Sequence, residues 1–394
     1  MDNPAALSTA TNYSFRVPVA DGQARYMTYP SAPLRLCLRA PADVLAAVPY
    51  LLGFHPAESL VVLGMYDTAL VFHARCDLPR PDAPPDEVAA LAGYIRDVVR
   101  AQDVNGVLLA GFGPTEHVTG PLMVTADAVR SAGIKTLDQL RAHSGRYWSY
   151  RCGNPACCPP EGKPYEVSST VIAAEATLAG CVALPDRDAL VRTLGPPTGP
   201  ALAAMRCATA SAERRLKEIP EGQAAARGQL ALQEAIDRHA AGGRLTDDEV
   251  AWLTVLLAAD QCLRDDALIG LEKERTAEAR RKVHDSLWTD IVRRCDPHHV
   301  VTPAVLLAYV CWRGGDGVRA GVAVERALET DPQCPAARLM AELLRRAVPP
   351  TAVTVPRPSQ APGAPTPSQA SGAANAKPQE RSHGRRARSR RDRQ

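Results

Sequence analysis

The stretch SLVVLGMYDTALVFHARCDLP, residues 59–79, contains two apolar runs separated by a short polar link at Asp67. Each run is long enough for a β-strand and the link is short enough for a tight turn, so the segment predicts a β-hairpin. Farther along, GVLLAGFG at residues 106–113 is apolar at almost every position. Such a continuous run is typical of a strand that is buried on both faces of a sheet.

Helical and strand patterns alternate around these runs. Their order is strand (34–39), helix (41–53), hairpin (59–79), helix (86–103), strand (106–113), helix (115–132) and strand pair (134–150). Pro49 predicts a kink or an early end of the first helix, and Gly53 suits its C-terminal cap. The strand pair is expected to turn at Ser144 and Gly145. This alternation predicts an α/β domain with a layered, mixed sheet over residues 33–185.

Strand patterns disappear in residues 200–347, which predict an all-α helical domain. Within it, residues 301–334 have the 34-residue length of a tetratricopeptide repeat, with small residues at Ala308, Ala320 and Ala327. Because no second copy is evident, two interpretations stay open. The segment is either a lone helical hairpin that packs on the helical domain or part of a groove that binds a protein partner.

The two ends of the chain differ from its interior in composition. Residues 1–32 are polar and predict a flexible segment, whereas residues 348–394 combine Pro, Ala and Arg and predict a disordered basic tail. The last 46 residues contain nine Lys or Arg and two acidic residues, so they carry +7 and the rest of the chain carries −4. The tail predicts at most a weak, salt-sensitive contact with nucleic acid or an acidic surface.

The N-terminus has no basic start followed by an apolar run, which argues against a signal peptide. The apolar stretches are also too short for a transmembrane segment. Eleven cysteines at irregular spacing fit a reducing compartment better than a disulfide framework. These features predict a cytoplasmic protein.

Four segments are distinctive: ADVLAAVPYLLGFHPAESLVVLG (42–64), ARCDLP (74–79), GRYWSYRCGNPACCPPEGKP (145–164) and GDGVRAGVAVERALETDP (315–332). Together they resemble an actinobacterial family known only as a domain of unknown function, number 4192 of that series. The resemblance extends over about residues 34–347. It implies an origin in high-GC Gram-positive bacteria and an intracellular setting, and it implies no activity.

The loop RCGNPACCPPEGKP, residues 151–164, places Cys152, Cys157 and Cys158 within seven residues. One interpretation is a zinc site, although adjacent cysteines rarely converge on one ion and a fourth ligand would have to come from His143, Cys181 or farther away. A second is a regulatory or catalytic thiol. The favoured interpretation is a stiff surface or interface loop, in which prolines restrict the backbone and reduced thiols pack as small apolar groups.

The link GFHPAES, residues 53–59, contains His55, Glu58 and Ser59, which are candidates for catalysis together with Asp77. Catalytic triads normally draw their members from separate elements, and no Gly-x-Ser-x-Gly elbow is present. A cap or turn role is therefore favoured over catalysis for this segment.

Ligand-binding candidates lie where two predicted strands end. Arg75 ends one strand and Gly111 and Gly113 end another, and ligands of open α/β sheets bind beyond such ends. GFGPTE, residues 111–116, precedes a helix and could present backbone amides to an anion, but it lacks the third glycine of a dinucleotide motif.

A further trio of metal-binding residue types, Cys295, His298 and His299, occurs in CDPHHV. No fourth ligand is near in sequence, so a turn at the entry of a helix is the favoured interpretation.

Two functions from different classes remain after these considerations. The first is a cytosolic binding or regulatory protein, whose helical domain contacts a protein partner. The second is an enzyme with a hydrolase-like or thiol-dependent site at the strand ends. The binding protein is favoured because the motifs supply no complete set of nucleophile, base and oxyanion donors.

Overall fold

A computed structural model of the chain describes residues 15–19, 34–220, 222–274 and 277–353, with side chains from Leu38 onward. The described strands are β1 (Phe15–Val19), β2 (Leu34–Leu38), β3 (Ser59–Tyr66), β4 (Ala69–Asp77), β5 (Gly106–Phe112), β6 (Lys135–His143), β7 (Arg146–Ser149) and β8 (Lys163–Pro164). Helices α1 (Pro41–Leu52), α2 (Pro85–Arg100), α3 (Thr115–Ser131), α4 (Val171–Leu178) and α5 (Arg187–Thr193) accompany them. The predicted α/β fold with a mixed sheet is confirmed.

Helices follow in the C-terminal half, as predicted. They are α6 (Gly199–Lys217), α7 (Ala224–Ala240), α8 (Asp247–Ala259), α9 (Gln261–Lys273), α10 (Glu278–Arg294), α11 (Val301–Arg313), α12 (Gly317–Thr330) and α13 (Pro335–Arg345). The small residues Ala308, Ala320 and Ala327 are fully buried. Small side chains there let α11 and α12 approach closely, but the relation to tetratricopeptide repeats stays a prediction.

The sheet has the strand order β2-β1-β4-β3-β5-β6-β7-β8. Strand β3 is antiparallel to both β4 and β5, and Ser59 lies opposite Asp77 on one side and Phe112 on the other. Strands β5 and β6 are parallel. As a result, β4, β5 and β6 all end at the edge of the sheet where β3 begins, and we call this edge the strand-end edge.

Both predicted turns are confirmed, and each uses left-handed backbone. Asp67 has φ 52° in the β3–β4 hairpin, and Ser144 and Gly145 have φ 47° and 70° between β6 and β7. Two successive positive φ values match the right-handed twist of the strands that they join.

Each face of the sheet has its own apolar core. Helices α2 and α3 cover the face that presents Leu60, Val62 and Leu109. On the opposite face, Val61 and Leu108 belong to a second core that includes residues of α1 and continues into the C-terminal helices. A continuous run such as β5 is therefore apolar because both of its faces are buried.

Of the two alternatives for Pro49, the early end of helix α1 is wrong, because the helix continues to Leu52 and to a C-terminal cap at Gly53 with φ 77°. The residues around Pro49 are buried in the core, and this packing offsets the lost backbone hydrogen bond. Residues 15–19 of the segment expected to be flexible form β1, which pairs with β2. The remainder of residues 1–32, and the tail from residue 354, lie outside the described residues.

Candidate functional site

The loop between β7 and β8 folds so that its three cysteines lie close together. The carbonyl of Asn154 accepts hydrogen bonds from the amides of Cys157 at 3.0 Å and Cys158 at 2.7 Å. Its side chain also accepts one from the Ala156 amide at 3.0 Å. These bonds form a tight turn that folds the Cys157–Cys158 pair toward Cys152. The two adjacent cysteines therefore approach Cys152 together in this loop.

The Sγ atoms of Cys152, Cys157 and Cys158 all lie within 4.8 Å of one another, and we call them the thiol trio. Among the described residues, no histidine, acid or further cysteine joins this group, which excludes His143 and Cys181 as a fourth member in this conformation. Cys157 is exposed and the other two are half-buried. The thiols are thus partly accessible, and the interpretation as a stiff surface or interface loop stays a prediction.

A clamp at the base of the loop holds it in place. The Trp148 indole donates a hydrogen bond to the Pro160 carbonyl at 2.8 Å, and Arg146 donates one to the Gly162 carbonyl at 2.8 Å. Trp148 also stacks on the guanidinium of Arg141, which lies 3.5 Å from the ring centroid. Gly162 has φ 78°, and a side chain there would meet the Trp148 ring.

Electrostatics differ among the three thiols. Hydrogen bonds from the Asn154 backbone and from Cys158 lower the pKa of Cys152, so its thiolate is favoured. Burial and the neighbouring Cys152 raise the pKa of Cys158 to about 12. The ammonium of Lys163 lies 3.8 Å from the Cys157 sulfur and adds a positive charge beside the trio. Lys163 was not singled out from the sequence because its role depends on the pairing of β8 with β7.

A second cluster lies at the strand-end edge, where Glu58 meets His117 of α3. The His117 Nδ1 contacts the Glu58 carboxylate, and its Nε2 lies 2.6 Å from the Pro79 carbonyl oxygen. Burial lowers the pKa of His117, but the bonds to Pro79 and Glu58 outweigh this effect and raise the pKa. Since both ring nitrogens face acceptors, the protonated imidazolium satisfies both. Sequence analysis missed His117 because it lies 59 residues from its partner.

Glu58 has φ 43°, a left-handed conformation that costs a non-glycine residue about 1 kcal/mol or more. A Cβ atom added to Gly113 would lie 3.1–3.2 Å from the two Glu58 carboxylate oxygens. A carboxylate therefore lies near the start of α3, where the helix dipole favours negative charge. Gly111 serves packing, because any side chain there would meet Val118 of α3.

Replacing His117 by Gln is expected to destabilise the protein by about 1 kcal/mol at pH 6 and by less at pH 8.5. The folded-state pKa is raised, so the ion pair's contribution is complete below the ordinary pKa of about 6.5 and is lost as the pH rises through the folded-state value. Urea unfolding of both proteins between pH 5.5 and 9 measures this difference. A difference that grows with pH contradicts the assignment.

The other catalytic candidates do not assemble into a site. Ser59 is fully buried and its hydroxyl donates to the Ala57 carbonyl at 2.8 Å. His55 uses its backbone amide to bind the Leu184 carbonyl at 2.9 Å, and no described hydrogen bond or ion pair joins its ring to Glu58 or Ser59. A hydrolase-like triad at this link therefore has no geometric support in the described residues.

Two ligand candidates, Arg75 and Asp77, lie side by side on β4. Their side chains form an ion pair at 2.6 Å, in which Arg75 is 13% exposed and Asp77 is 80% exposed. They do not join the thiol trio or the Glu58–His117 pair through any described contact.

Residues Cys295, His298 and His299 do not come together as a metal group among the described residues. Pro297–His299 forms a short 3₁₀ turn whose amide at His298 is capped by Asp296, and α11 begins directly afterwards. The predicted helix-entry turn is confirmed.

The comparisons with known proteins give a family but no activity. Residues 41–351, more than half of the chain, match the family model described as Domain of unknown function (DUF4192). The chain belongs to this family. No curated protein and no solved structure matches it. A role for this DUF4192 member therefore has to be argued from its own residues. Among the described helices, none is both long and apolar enough for a bilayer crossing.

Proposed function

We propose that this DUF4192 protein is a metal-binding protein whose thiol trio holds one thiophilic divalent cation, with zinc as the ion that fits best. The observation that carries the proposal is the mutual approach of the three sulfur atoms to within 4.8 Å. Sulfur ligands of a tetrahedral zinc ion lie about 3.8 Å apart, given Zn–S distances of about 2.3 Å. Side-chain rotations that move each sulfur by less than about 1 Å therefore suffice.

The chemistry of the donors supports zinc over harder ions. Thiolates select soft or borderline cations, whereas Mg²⁺ and Ca²⁺ require oxygen ligands. A trio leaves the fourth tetrahedral position to water or to an exogenous donor, because no described residue completes it. The adjacent Lys163 charge offsets part of the negative charge that three thiolates bring.

Metal binding by this trio fits the favoured class of a binding protein, and a water in the fourth position is also the arrangement that catalytic zinc sites use. Binding requires the loss of the thiol protons, and the raised pKa of Cys158 makes that loss the most demanding. We therefore expect zinc affinity to fall steeply as the pH decreases from 8 to 6. The cytoplasmic setting and a protein partner for the helical domain are further parts of the proposal and follow from sequence alone.

Native mass spectrometry of reduced protein mixed with zinc tests the proposal. We expect one zinc ion per chain, and an affinity at least 100-fold weaker in Cys158→Ser when measured against a chromophoric chelator. Cys262→Ser is the matched control, because Cys262 is exposed on α9, outside the trio. Zinc binding that survives replacement of all three cysteines contradicts the proposal.

The same experiment separates metal binding from the thiol alternative. A protein that takes up no zinc and loses 2 Da on exposure to air has formed one disulfide, and this disulfide involves the loop if the variant that lacks all three loop cysteines does not lose 2 Da. The sulfurs are near enough for this after a modest closure, since a disulfide needs an S–S distance of about 2.05 Å. That outcome favours a redox-active thiol over the metal site.

A further inference from the structure

A cleft of about 630 Å³ lies between the sheet and the C-terminal helices. Strand β4, the end of α1 and helix α2 form one side, and the turn between α11 and α12 forms the other. Its volume falls in the range of small-molecule sites, which is about 300–1,000 Å³. Neither the thiol trio nor the Glu58–His117 pair lines it.

Contacts across the cleft hold its two sides together. From α2 and the residues that follow it, the Gln102 amide donates a hydrogen bond to the Ala347 carbonyl at 2.8 Å, and the Tyr94 hydroxyl donates one to the Arg345 carbonyl. From α5, Arg187 donates a hydrogen bond to Glu325 of α12 at 2.6 Å. These links bridge walls that belong to different elements and hold them together around a concave cleft, a shape that suits a small molecule.

Most of the charges that line the cleft are satisfied by the protein. Arg319 is buried and binds Asp285 at 2.9 Å, with Asp316 at 3.8 Å. Glu325 is paired with Arg187. The acidic side chains on the helical side therefore form ion pairs with arginines of that side and of α5. They do not neutralise the positive charge of Arg75 on the sheet side of the cleft.

Arg75 on the sheet side is different. Its Nε atom is buried and has no hydrogen-bond partner among the described residues. Its one described ion-pair partner, Asp77, is 80% exposed. Water therefore screens the attraction between the two side chains, and the ion pair is weak. A buried donor without an acceptor destabilises the folded state, and an oxygen anion placed beside it removes that cost.

The cleft that contains Arg75 also has accessible apolar side chains. Val71, on the same strand as Arg75, and Val182 both line the cleft and are 47% and 52% exposed. Phe54, whose ring centroid lies 6.0 Å from the Arg75 guanidinium, is buried in the core. We propose that the cleft binds a small organic anion, in which a carboxylate or phosphate meets Arg75 and an apolar group lies against Val71 and Val182.

Isothermal titration calorimetry of the full chain with 2-naphthoate tests the proposal, with 2-naphthylmethanol as its neutral counterpart. We expect naphthoate to bind at least 10-fold more tightly than the alcohol. Arg75→Met is expected to remove this preference, whereas Arg100→Met, at the exposed end of α2, retains it. A parallel titration with 2-naphthyl phosphate shows which of the two anions the site prefers.

A second pair of variants keeps the test valid if Arg75→Met does not fold. Gly321 lines the cleft on α12, and a Cβ atom there meets nothing within 4 Å, so Gly321→Leu adds a side chain to the cleft wall. We expect it to weaken both probes at least 10-fold. Gly270→Leu on α9 is the matched control, because a Cβ atom there also meets nothing within 4 Å and the residue lies outside the cleft, so binding is expected to be unchanged. Equal affinity for the anions and the alcohol, no binding of either anion, or unchanged binding in Gly321→Leu overturns the proposal.

Discussion

Arg313→Met is expected to lower the free energy of unfolding by about 3–5 kcal/mol, because it removes the cation of a buried ion pair. The Arg313 guanidinium binds the Glu272 carboxylate at 2.6 Å, with side chains that are only 9% and 13% exposed. The same guanidinium donates to the Tyr309 hydroxyl at 3.0 Å and to the carbonyls of Pro350 and Val353. Replacement therefore removes several charge-assisted bonds at once.

The remaining members of this network cannot replace the lost charge. The Tyr309 hydroxyl donates to Glu272, and burial together with this bond raises the pKa of Tyr309 to about 12. The tyrosine thus stays a neutral donor near pH 7. A buried carboxylate that loses its cation is left with a large desolvation cost.

Urea unfolding at pH 7 measures the effect, with Arg280→Met as the control. Arg280 is 45% exposed and lies 4.0 Å from Glu274, so its loss is expected to change the stability by less than about 0.5 kcal/mol. Adding Glu272→Met to Arg313→Met should restore part of the stability, because it removes the uncompensated acid. A double variant that is no more stable than the single one contradicts this account.

Gly162→Ala is expected to destabilise the closed form of the cysteine loop by about 2–5 kcal/mol. Gly162 has φ 78°, where a side chain costs about 1–2 kcal/mol. A Cβ atom would also lie 2.5 Å from the Trp148 ring, and overpacking of this kind costs about 1–3 kcal/mol more. Trp148 cannot retreat freely, because its other contact is the buried guanidinium of Arg141.

Hydrogen exchange of the segment 146–165 measures this opening, since a loop can open without global unfolding. We expect at least 10-fold faster exchange of the β7 amides and of the Lys163 amide, and weaker zinc binding, in Gly162→Ala. Gly153→Ala is the matched control from the same loop, because a side chain there meets nothing within 4 Å. Equal protection in the two variants would show that the Trp148 clamp does not hold the loop closed.

The elements of the fold were largely predictable because their signals are local. The hairpin around Asp67, the strand 106–113 and the turn at Ser144 and Gly145 each depend on residues within a few positions of one another. Apolar periodicity and turn chemistry act over that same range. The helical C-terminal half followed for the same reason.

The sites were predictable only as residues, and not as arrangements. The sequence placed three cysteines in one loop, but their convergence depends on bonds to the Asn154 carbonyl and on the pairing of β8 with β7. The sequence also pointed to Glu58 and Gly113 as candidates, but it did not point to His117. His117 contacts Glu58 only because α3 packs beside β3 and β5.

Local patterning thus sufficed for the α/β class, the helical half, the turns and the presence of thiols in a stiff loop. The order of the strands, the approach of the three sulfurs, the Glu58–His117 pair and the cleft beside Arg75 came from long-range packing. Periodicity states which face of an element is buried, but not which other element buries it. Each of these sites joins residues from separate elements or from the two ends of a loop, so folding had to place the partners before their chemistry could be recognised.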